Sequence, residues 1–447
     1  SDPAAPRAGE RIAIDGHLVD SRRIGDALYV VTSHRPVLAA EQLPATASAA
    51  EREAAIDRLT AADLLPRISR NGGPAQPLLA ETDCYLQPAN ASLAVEFTTI
   101  TVFDLRSPTL AQRSRCFVGG SEALYMSTEN LYLATTRWAY LADAGGLVYP
   151  QKIQTDIHKF SLSGGVSYRA SGQVEGHLGW DRERKSYRLG EYQGDLRVLS
   201  YTGESGWGAV PEADRAPSPA RLTVLRERAG TARLQAVATL PNAAQPAPLG
   251  KPGEQVFAVR FVGDRGYVVT FRRTDPLYVL DLSDPADPRV TGELEVAGFS
   301  EMLVPLANGL LLGVGRDADA LGRATGLKVA LFDVADPAQP RQRASLSLGA
   351  AGSMSALDGS RHGLNLMAVG DTVRIALPAN LSASDYQDWR HGLQRLEVDT
   401  AARTLRDLGL LGATVGAGYL PISLERSVQI GDWVYHLREG QLASHAW

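Results

Sequence analysis

"DPLYVLDLSDPADPRVTGELEV" (275–296) and "GLKVALFDVADPAQPRQRASLSL" (326–348) are two copies of one pattern: an apolar strand, a D-x-x-D-P-x-x-P turn and a second strand. Asp281 and Asp333 stand at strand ends, while Asp284-Pro285 and Asp336-Pro337 open the turns. An Asp side chain there accepts backbone N–H bonds, and proline holds φ near the value a type I turn requires. The repeated phrase is turn chemistry rather than a repeated active-site motif, and it calls for a search for further repeats.

A second kind of hairpin recurs seven times: "LVDSRRIGDALYVVTSHR" (18–35), "ALYMSTENLYLATTR" (123–137), "YRLGEYQGDLRVLSYTGE" (187–204), "FAVRFVGDRGYVVTFRR" (257–273), "EMLVPLANGLLLGVGRD" (301–317), "LNLMAVGDTVRIALPAN" (364–380) and "RSVQIGDWVYHLREG" (426–440). Each is an apolar strand, a tight turn such as Gly25-Asp26, Gly194-Asp195, Gly370-Asp371 or Gly431-Asp432, and a β-branched or aromatic strand. Gly and Asp/Asn supply the positive φ that such turns need. The first kind of hairpin fills the intervals, as in "ITVFDLRSPTLAQRSRCFV" (100–118) and "ARLTVLRERAGTARLQAVATL" (220–240). Alternating the two kinds gives four strands per unit, the blade of a β-propeller. One blade has two apolar faces, and stacking neighbours around an axis buries both. The expected fold is therefore all-β, a propeller of seven four-stranded blades. The last hairpin is followed only by "QLASHAW" (441–447), while "RIAIDG" (11–16) precedes the first. Pairing of Ile12 and Ile14 with the Leu442 region is expected to close the ring and cover its edges.

Two segments interrupt the repeat. "RPVLAAEQLPATASAAEREAAIDRLTAADLLPRISRNGG" (35–73) is Ala-rich with apolar residues at helical spacing and Ser48 or Thr46 as caps, and "LPANLSASDYQDWRHGLQRL" (377–396) offers Ser382 or Ser384 to open a short helical turn. The expected organisation is a flexible lead over 1–10 and one propeller domain over 11–447, with helical insertions at about 37–70 and 382–392. Both insertions are expected on the face that carries the central funnel, where loops carry function.

A chain of 447 residues exceeds one ordinary core unless it forms a repeat architecture. Its net charge of −5 gives no global reason to bind nucleic acid. Apolar runs such as "LANGLLLGVG" (306–315) are too short and too glycine-rich to span a membrane. The opening "SDPAAPRAGE" has neither Met nor an apolar leader, which suggests a processed N-terminus, with a signal peptide removed. The two cysteines, Cys84 and Cys116, are either separate buried thiols or a disulfide. A disulfide here would be worth about 3–4 kcal/mol in the chain-entropy model and would imply an oxidising compartment.

Several phrases resemble those of the secreted bacterial and archaeal proteins with a C-terminal β-propeller domain distantly related to WD40 repeats. They are "LYVVTSHRP" (28–36), "LYLATTRW" (131–138), "TDIHKFSLSGGVSYRASGQVEG" (155–176), "EYQGDLRV" (191–198), "DPLYVLDLSDPADPRVTGELEVAGFSEMLVP" (275–305) and "LKVALFDVADPAQPRQRASLSLG" (327–349). The resemblance implies a propeller and export, and it brings no catalytic residue set. The chain departs from the pattern at "HLGWDRERKSYRLGEY" (177–192), which is charged where the family is more apolar.

Local enzyme motifs are missing: no G-x-S-x-G, H-E-x-x-H, P-loop, C-x-x-C or dinucleotide loop occurs. None of the eight histidines is spaced as a metal pair, so no metal is expected, and with no haem motif no cofactor either. Asp317 and Asp319 in "GRDADALG" only faintly resemble a calcium loop. Five second strands, however, end in a cation: Arg35 after His34, Arg137, Arg272 with Arg273, Arg316, and Arg438. Parallel placement of these strands puts their ends on one face, and guanidinium groups bind carboxylate or phosphate bidentately. Glu122 and Glu301 occupy matching positions ahead of their hairpins. The cluster His34, Arg35, Glu122, Arg137, Arg272, Arg273, Glu301, Arg316, Asp317 and Arg438 is thus either a ligand-binding funnel rim or a set of inter-blade ion pairs.

The expected role is a secreted or periplasmic binding module or scaffold, a monomer or part of a hetero-complex. Its partner at the funnel would be a protein or an anionic small molecule or glycan, not nucleic acid. The alternative is a hydrolase or lyase using Glu122, Glu301 or Asp317 with an Arg or His partner.

Overall fold

Four Gly-Asp pairs close the tight hairpins for one reason: the turn needs a positive φ at its first central residue. Gly25, Gly263, Gly370 and Gly431 adopt φ of +58°, +53°, +60° and +58°, each in open space where no neighbour opposes the chain reversal. One turn sits a residue earlier than its sequence suggests. Gln193 and Gly194, both at positive φ, form it, and Asp195 already belongs to the next strand. The computed structural model describes residues 9–86, 95–142, 148–203, 218–271, 275–319, 321–384, 386–416 and 422–447. The chain is all-β with few helices, and it divides into two compact units.

The first unit comprises Ser1–Arg137, Asp156–Gln173 and Ala229–Arg233. Its main sheet runs His17–Ile24, Ala27–His34, Phe97–Asp104, Gln112–Val118, with Cys84–Leu86 added in parallel. Tyr29, Val31, Ile100, Phe117, Leu131, Leu133 and Phe160 form its core. The insertion after His34 holds a short helix, Ala49–Ile56, started by a capping box in which Ser48 and Glu51 bond reciprocally. It ends in Arg67–Arg70, which pairs with Ile12–Ile14. Ile12 and Ile14 therefore lie opposite Arg70 and Ile68 rather than opposite the Leu442 region, and they pack with Ile68, Leu78 and Leu79. Apolar residues of the insertion thus bury both isoleucines. Cys84 and Cys116, facing each other in the parallel pair, form a disulfide.

The strands Ala123–Met126, Asn130–Ala142, Val148–Ser161 and Ser167–Glu175 form one four-stranded sheet. Among the described residues, the second unit, Trp138–Thr155, Val174–Arg228 and Leu234–Trp447, contains five further antiparallel sheets in chain order. Three have the simple four-strand order: Leu189–Tyr192 through Leu234–Leu240, Gln255–Val262 through Arg289–Val296, and Phe299–Leu306 through Arg341–Leu348. The fourth is built on Thr372–Ser384, Gln387–Asp399 and Thr404–Gly416, with Asn365–Val369 and Met354–Ser355 both pairing on the first of these. The last has three strands, Arg426–Ile430, Trp433–Arg438 and Gln441–Ala446.

Leu310–Ala318 shows why the sheets stack. Leu310, Leu312 and Val314 pack with Ile375, Leu377 and Leu396, while Leu311 on the other face packs with Tyr267, Val269 and Val279. Side chains alternate between faces along a strand, so a strand buried on both sides reads as an unbroken apolar run. Each such buried side chain contributes about 1.5–3 kcal/mol relative to exposure. Beta-bulges recur at matching places, after Leu18, Val256 and Ser300 in first strands and after Val224, Val279 and Leu331 in third strands, adding the twist that stacked sheets require.

The two D-P turns behave as their sequence suggests. Asp284 Oδ1 accepts from Ala286 N at 2.9 Å and Asp336 Oδ1 from Ala338 N at 3.0 Å. Leu282 N and Val334 N donate at 2.8 Å to Asp264 and Gly309, carbonyls of the neighbouring hairpin turns. Residues 382–392 are a correction: they form the tip of a hairpin, not a helical turn. Ser382 pairs with Trp389, and its hydroxyl accepts from Gln387 N at 3.1 Å, closing the reversal instead of capping a helix. Ser382, Trp389 and His391 alternate inward, which a strand can satisfy.

Candidate functional site

Among the described residues, Arg35, Arg137, Arg316 and Arg438 at the ends of second strands face carboxylates of the chain itself. Arg137 binds Asp156, fully buried, through Nε at 2.5 Å and Nη2 at 3.0 Å. Glu122 accepts from Thr136 N at 3.3 Å. Arg35 lies 3.8 Å from Glu41, both exposed. His34 is half-buried, and desolvation lowers its pKa against the pull of Asp15. Arg438 Nε stands 3.8 Å from Glu425, whose two oxygens accept from His391 Nε2 at 2.9 Å and His436 Nε2 at 2.8 Å. Burial opposes the charge on Glu425, but these bonds prevail and hold its pKa down to about 2. Asp317 ends its strand and accepts from Ala318 N. Arg272 and Arg273 lie outside the described residues.

Glu301 and Arg316 are brought together. They belong to the paired strands Phe299–Leu306 and Leu310–Ala318, and Arg316 Nε is 3.9 Å from Glu301 Oε2. Arg184 Nη2 reaches the same oxygen at 3.3 Å and Asp181 through Nε at 3.0 Å. Arg316 also donates to Asp358 Oδ1 at 2.6 Å and to the Ser353 carbonyl. Desolvation raises the Glu301 pKa, while Arg184 and Arg316 oppose the rise. The adjoining void, lined by Tyr187, Met302 and Leu357, measures about 10 Å³. That is about the space of one water.

A larger cavity of about 140 Å³ opens on the other side of Arg184, lined by His177, Gly179, Trp180, Asp181, Arg188, Tyr201, Gln255, Val256 and Phe257. It is built by the turn from His177 to Arg188, the charged departure noted in the sequence. His177 is pinned to Tyr201 by two backbone bonds at 3.0 and 2.7 Å. The chain then turns at Asp181, whose Oδ1 accepts from Glu183 N at 2.9 Å, and ends in the single turn Lys185–Arg188. The Trp180 indole is 58% exposed and stacks on Trp138 with centroids 5.5 Å apart and planes 20° apart. His177 packs against both indoles and against Tyr201.

Two residues that line this cavity each carry a buried N–H with no partner among the described residues. Arg188 is buried and donates through Nη2 to Val256 O at 2.6 Å, but its Nη1 meets no acceptor. Burial lowers its pKa to about 10, so it stays charged. His177 Nδ1 accepts from Gly179 N at 3.0 Å, which places the proton of the neutral ring on Nε2, and that atom also lacks a partner. Burial first, then Arg188 and Lys185, lower the His177 pKa to about 4. An unmade buried donor costs about 1–3 kcal/mol. Arg184, Arg188, Trp180 and Glu425 escaped the sequence reading because Glu301, Val256, Trp138 and His391, which they meet, stand far from them in the chain. The charged run 177–192 was the one signal for the first three, and Glu425 lies outside it.

Among the described residues, no group of three His, Cys, Asp or Glu side chains has metal-binding geometry. The Beta propeller domain family model matches residues 1–447. An uncharacterized protein of Methanocaldococcus jannaschii is 34% identical over 172 residues, 38% of this chain and 23% of that protein. One from Archaeoglobus fulgidus is 44% identical over 90 residues, 20% of this chain and 14% of that protein. The chain therefore spans less than a quarter of the length of these relatives. Among solved structures, the β-propeller domain of the Trilobed protease from Pyrococcus furiosus overlaps 74% of this chain and 82% of its own at 11% identity and a TM-score of 0.30. Cobalt-substituted Synechocystis ACO overlaps 58% and 57% at 15% identity and a TM-score of 0.34. Nothing of their chemistry transfers at such likeness.

Proposed function

Because the chain belongs to the beta propeller domain family, we propose that it is a seven-bladed, extracytoplasmic ligand-binding module, with the cavity at His177, Trp180 and Arg188 as its ligand site. The observation that supports this reading is a cavity of about 140 Å³ whose lining includes the 58% exposed Trp180 indole, stacked on Trp138. The arginines at strand ends then act as internal ion pairs rather than as a rim for ligand, since Arg137 and Arg316 already hold carboxylates. The Cys84–Cys116 disulfide supports an oxidising compartment. A catalytic role for Glu301 has its raised pKa in favour, but a void the size of one water leaves no room for substrate beside it.

The test is a thermal-shift panel of small acids, sugars, nucleotides and peptides on wild type and Trp180→Ala. A ligand at a hundred times its Kd adds about 2.7 kcal/mol, which shifts melting by several degrees. At least one class should raise the wild-type Tm and fail to raise that of the variant. Identical responses from both proteins would remove the cavity as the site.

A further inference from the structure

The ligand class follows from the surfaces that border the cavity. Trp180 is 58% exposed, and its indole stacks on Trp138 with centroids 5.5 Å apart. Trp180 lines the cavity and Trp138 does not, so the cavity meets the part of the indole that Trp138 leaves uncovered. Phe257, half-buried, lines the cavity as well, and its ring is backed by Phe271 at 5.7 Å and Phe299 at 4.6 Å between centroids. Two aromatic surfaces, each held by other rings, thus border one space. A ligand that meets them pays little to order them.

Charge offers a ligand far less. Arg184 is already matched by Asp181 at 3.0 Å and Glu301 at 3.3 Å. Arg188 is 7% exposed and lies against Gly179, where a Cβ would come within 2.6 Å of Nη2. An anion would therefore lose its water without reaching a bare cation, and a cation would enter beside two guanidinium groups. Neither penalty falls on an uncharged ring. Size agrees, since the cavity measures about 140 Å³ and a dry apolar cavity of about 150 Å³ holds one benzene.

Resting on the ligand-site reading above, we infer that the cavity takes a single uncharged aromatic ring, carried by a small molecule or by an aromatic side chain of a peptide. The ring packs on Trp180 and Phe257 in the offset or edge-on contacts that aromatic pairs favour. A saturated ring of equal size would bury similar area and lose the aromatic part of that contact, about two- to tenfold in affinity.

The experiment titrates the full chain with p-cresol, acetyl-tyrosinamide, 4-methylcyclohexanol, benzoate and choline, read by calorimetry and by the Trp180 indole N–H resonance, in wild type, Trp180→Leu and Phe257→Leu. In wild type, p-cresol should bind at least about threefold tighter than 4-methylcyclohexanol, its saturated counterpart, and about tenfold tighter than benzoate or choline. Trp180→Leu keeps an apolar side chain without the ring, and it should erase the preference over 4-methylcyclohexanol. Phe257→Leu should reduce that preference. Trp180 lies on the surface, so its variant decides the matter should Phe257→Leu fail to fold. Acetyl-tyrosinamide binding more tightly than p-cresol assigns the ring to a peptide and the reverse order assigns it to a small molecule, and both uphold the ring. 4-Methylcyclohexanol binding as tightly as p-cresol overturns the aromatic ring and spares the site. Benzoate or choline binding more tightly than p-cresol overturns the uncharged ligand. If none of these compounds binds, the inference falls, while a Trp180-dependent thermal shift with another compound would still uphold the site.

Discussion

Arg184 stands between two polar clusters that differ in whether their atoms are matched. On one side Glu301 is held by Arg184 and Arg316, Arg316 by Asp358, and the void holds about one water. On the other, Arg188 and His177, which line a cavity of about 140 Å³, each keep a buried N–H with no acceptor among the described residues. A matched buried cluster stiffens a fold, whereas an unmatched one carries the cost of each donor left without an acceptor. Charge alone does not separate the two, since both contain arginines and carboxylates. The difference is visible only atom by atom.

The contrast breaks most sharply at Glu301. Glu301→Leu leaves Arg184 and Arg316 with an uncompensated share of buried charge and should destabilise by about 3–5 kcal/mol in urea unfolding. Glu301→Gln, which keeps an acceptor for Arg184, should cost less. Equal, small losses for both variants would mean the matched cluster is not structural.

Acid unfolding tests a second matched cluster. The folded-state pKa of Glu425, about 2, lies below its ordinary value, so the stability it contributes is complete above about pH 4.5 and is lost as pH falls toward 2. The loss should amount to about 2–3 kcal/mol. Glu425→Gln should flatten that part of the pH–stability curve, and a variant that retains the full acid limb would remove Glu425 as its cause.

The unmatched side should respond in the opposite way. Arg188→Met removes a desolvated charge whose only bond is to Val256 O, so its stability should stay within about 1 kcal/mol of wild type. A loss as large as that of Glu301→Leu would place Arg188 with the structural cluster. Trp180→Ala, at an exposed indole, should change stability by about 0.5 kcal/mol or less while abolishing the ligand-dependent thermal shift.

How far the sequence carries differs between fold and site. The hairpins were legible because Gly-Asp turns and D-P turns are local chemistry, and Gly263 or Asp336 behaves in the chain much as it would in a short peptide. The pairing of Glu301 with Arg316 was within reach, since both lie on one hairpin. Arg184 and Asp358 were not, because they reach the same spot from segments far apart in the chain. The misread segment at 382–392 has a similar origin. Its serines suit a helix cap or a hairpin equally, and the pairing of Asn380 with His391 and Ser382 with Trp389 decided between them.

The amino-acid order by itself determined the all-β character, the alternation of two hairpin kinds and the role of the D-x-x-D-P-x-x-P phrase. Each depends on residues within one or two turns of one another, where φ preference and side-chain-to-backbone bonds dominate. Only the tertiary structure decided that Ile12–Ile14 pairs with Arg67–Arg70, which guanidinium finds a carboxylate, and which donors are left without one. Those outcomes depend on distance and burial in three dimensions, since Arg137 is a spent ion pair with Asp156 whereas Arg188 keeps one buried N–H without an acceptor among the described residues.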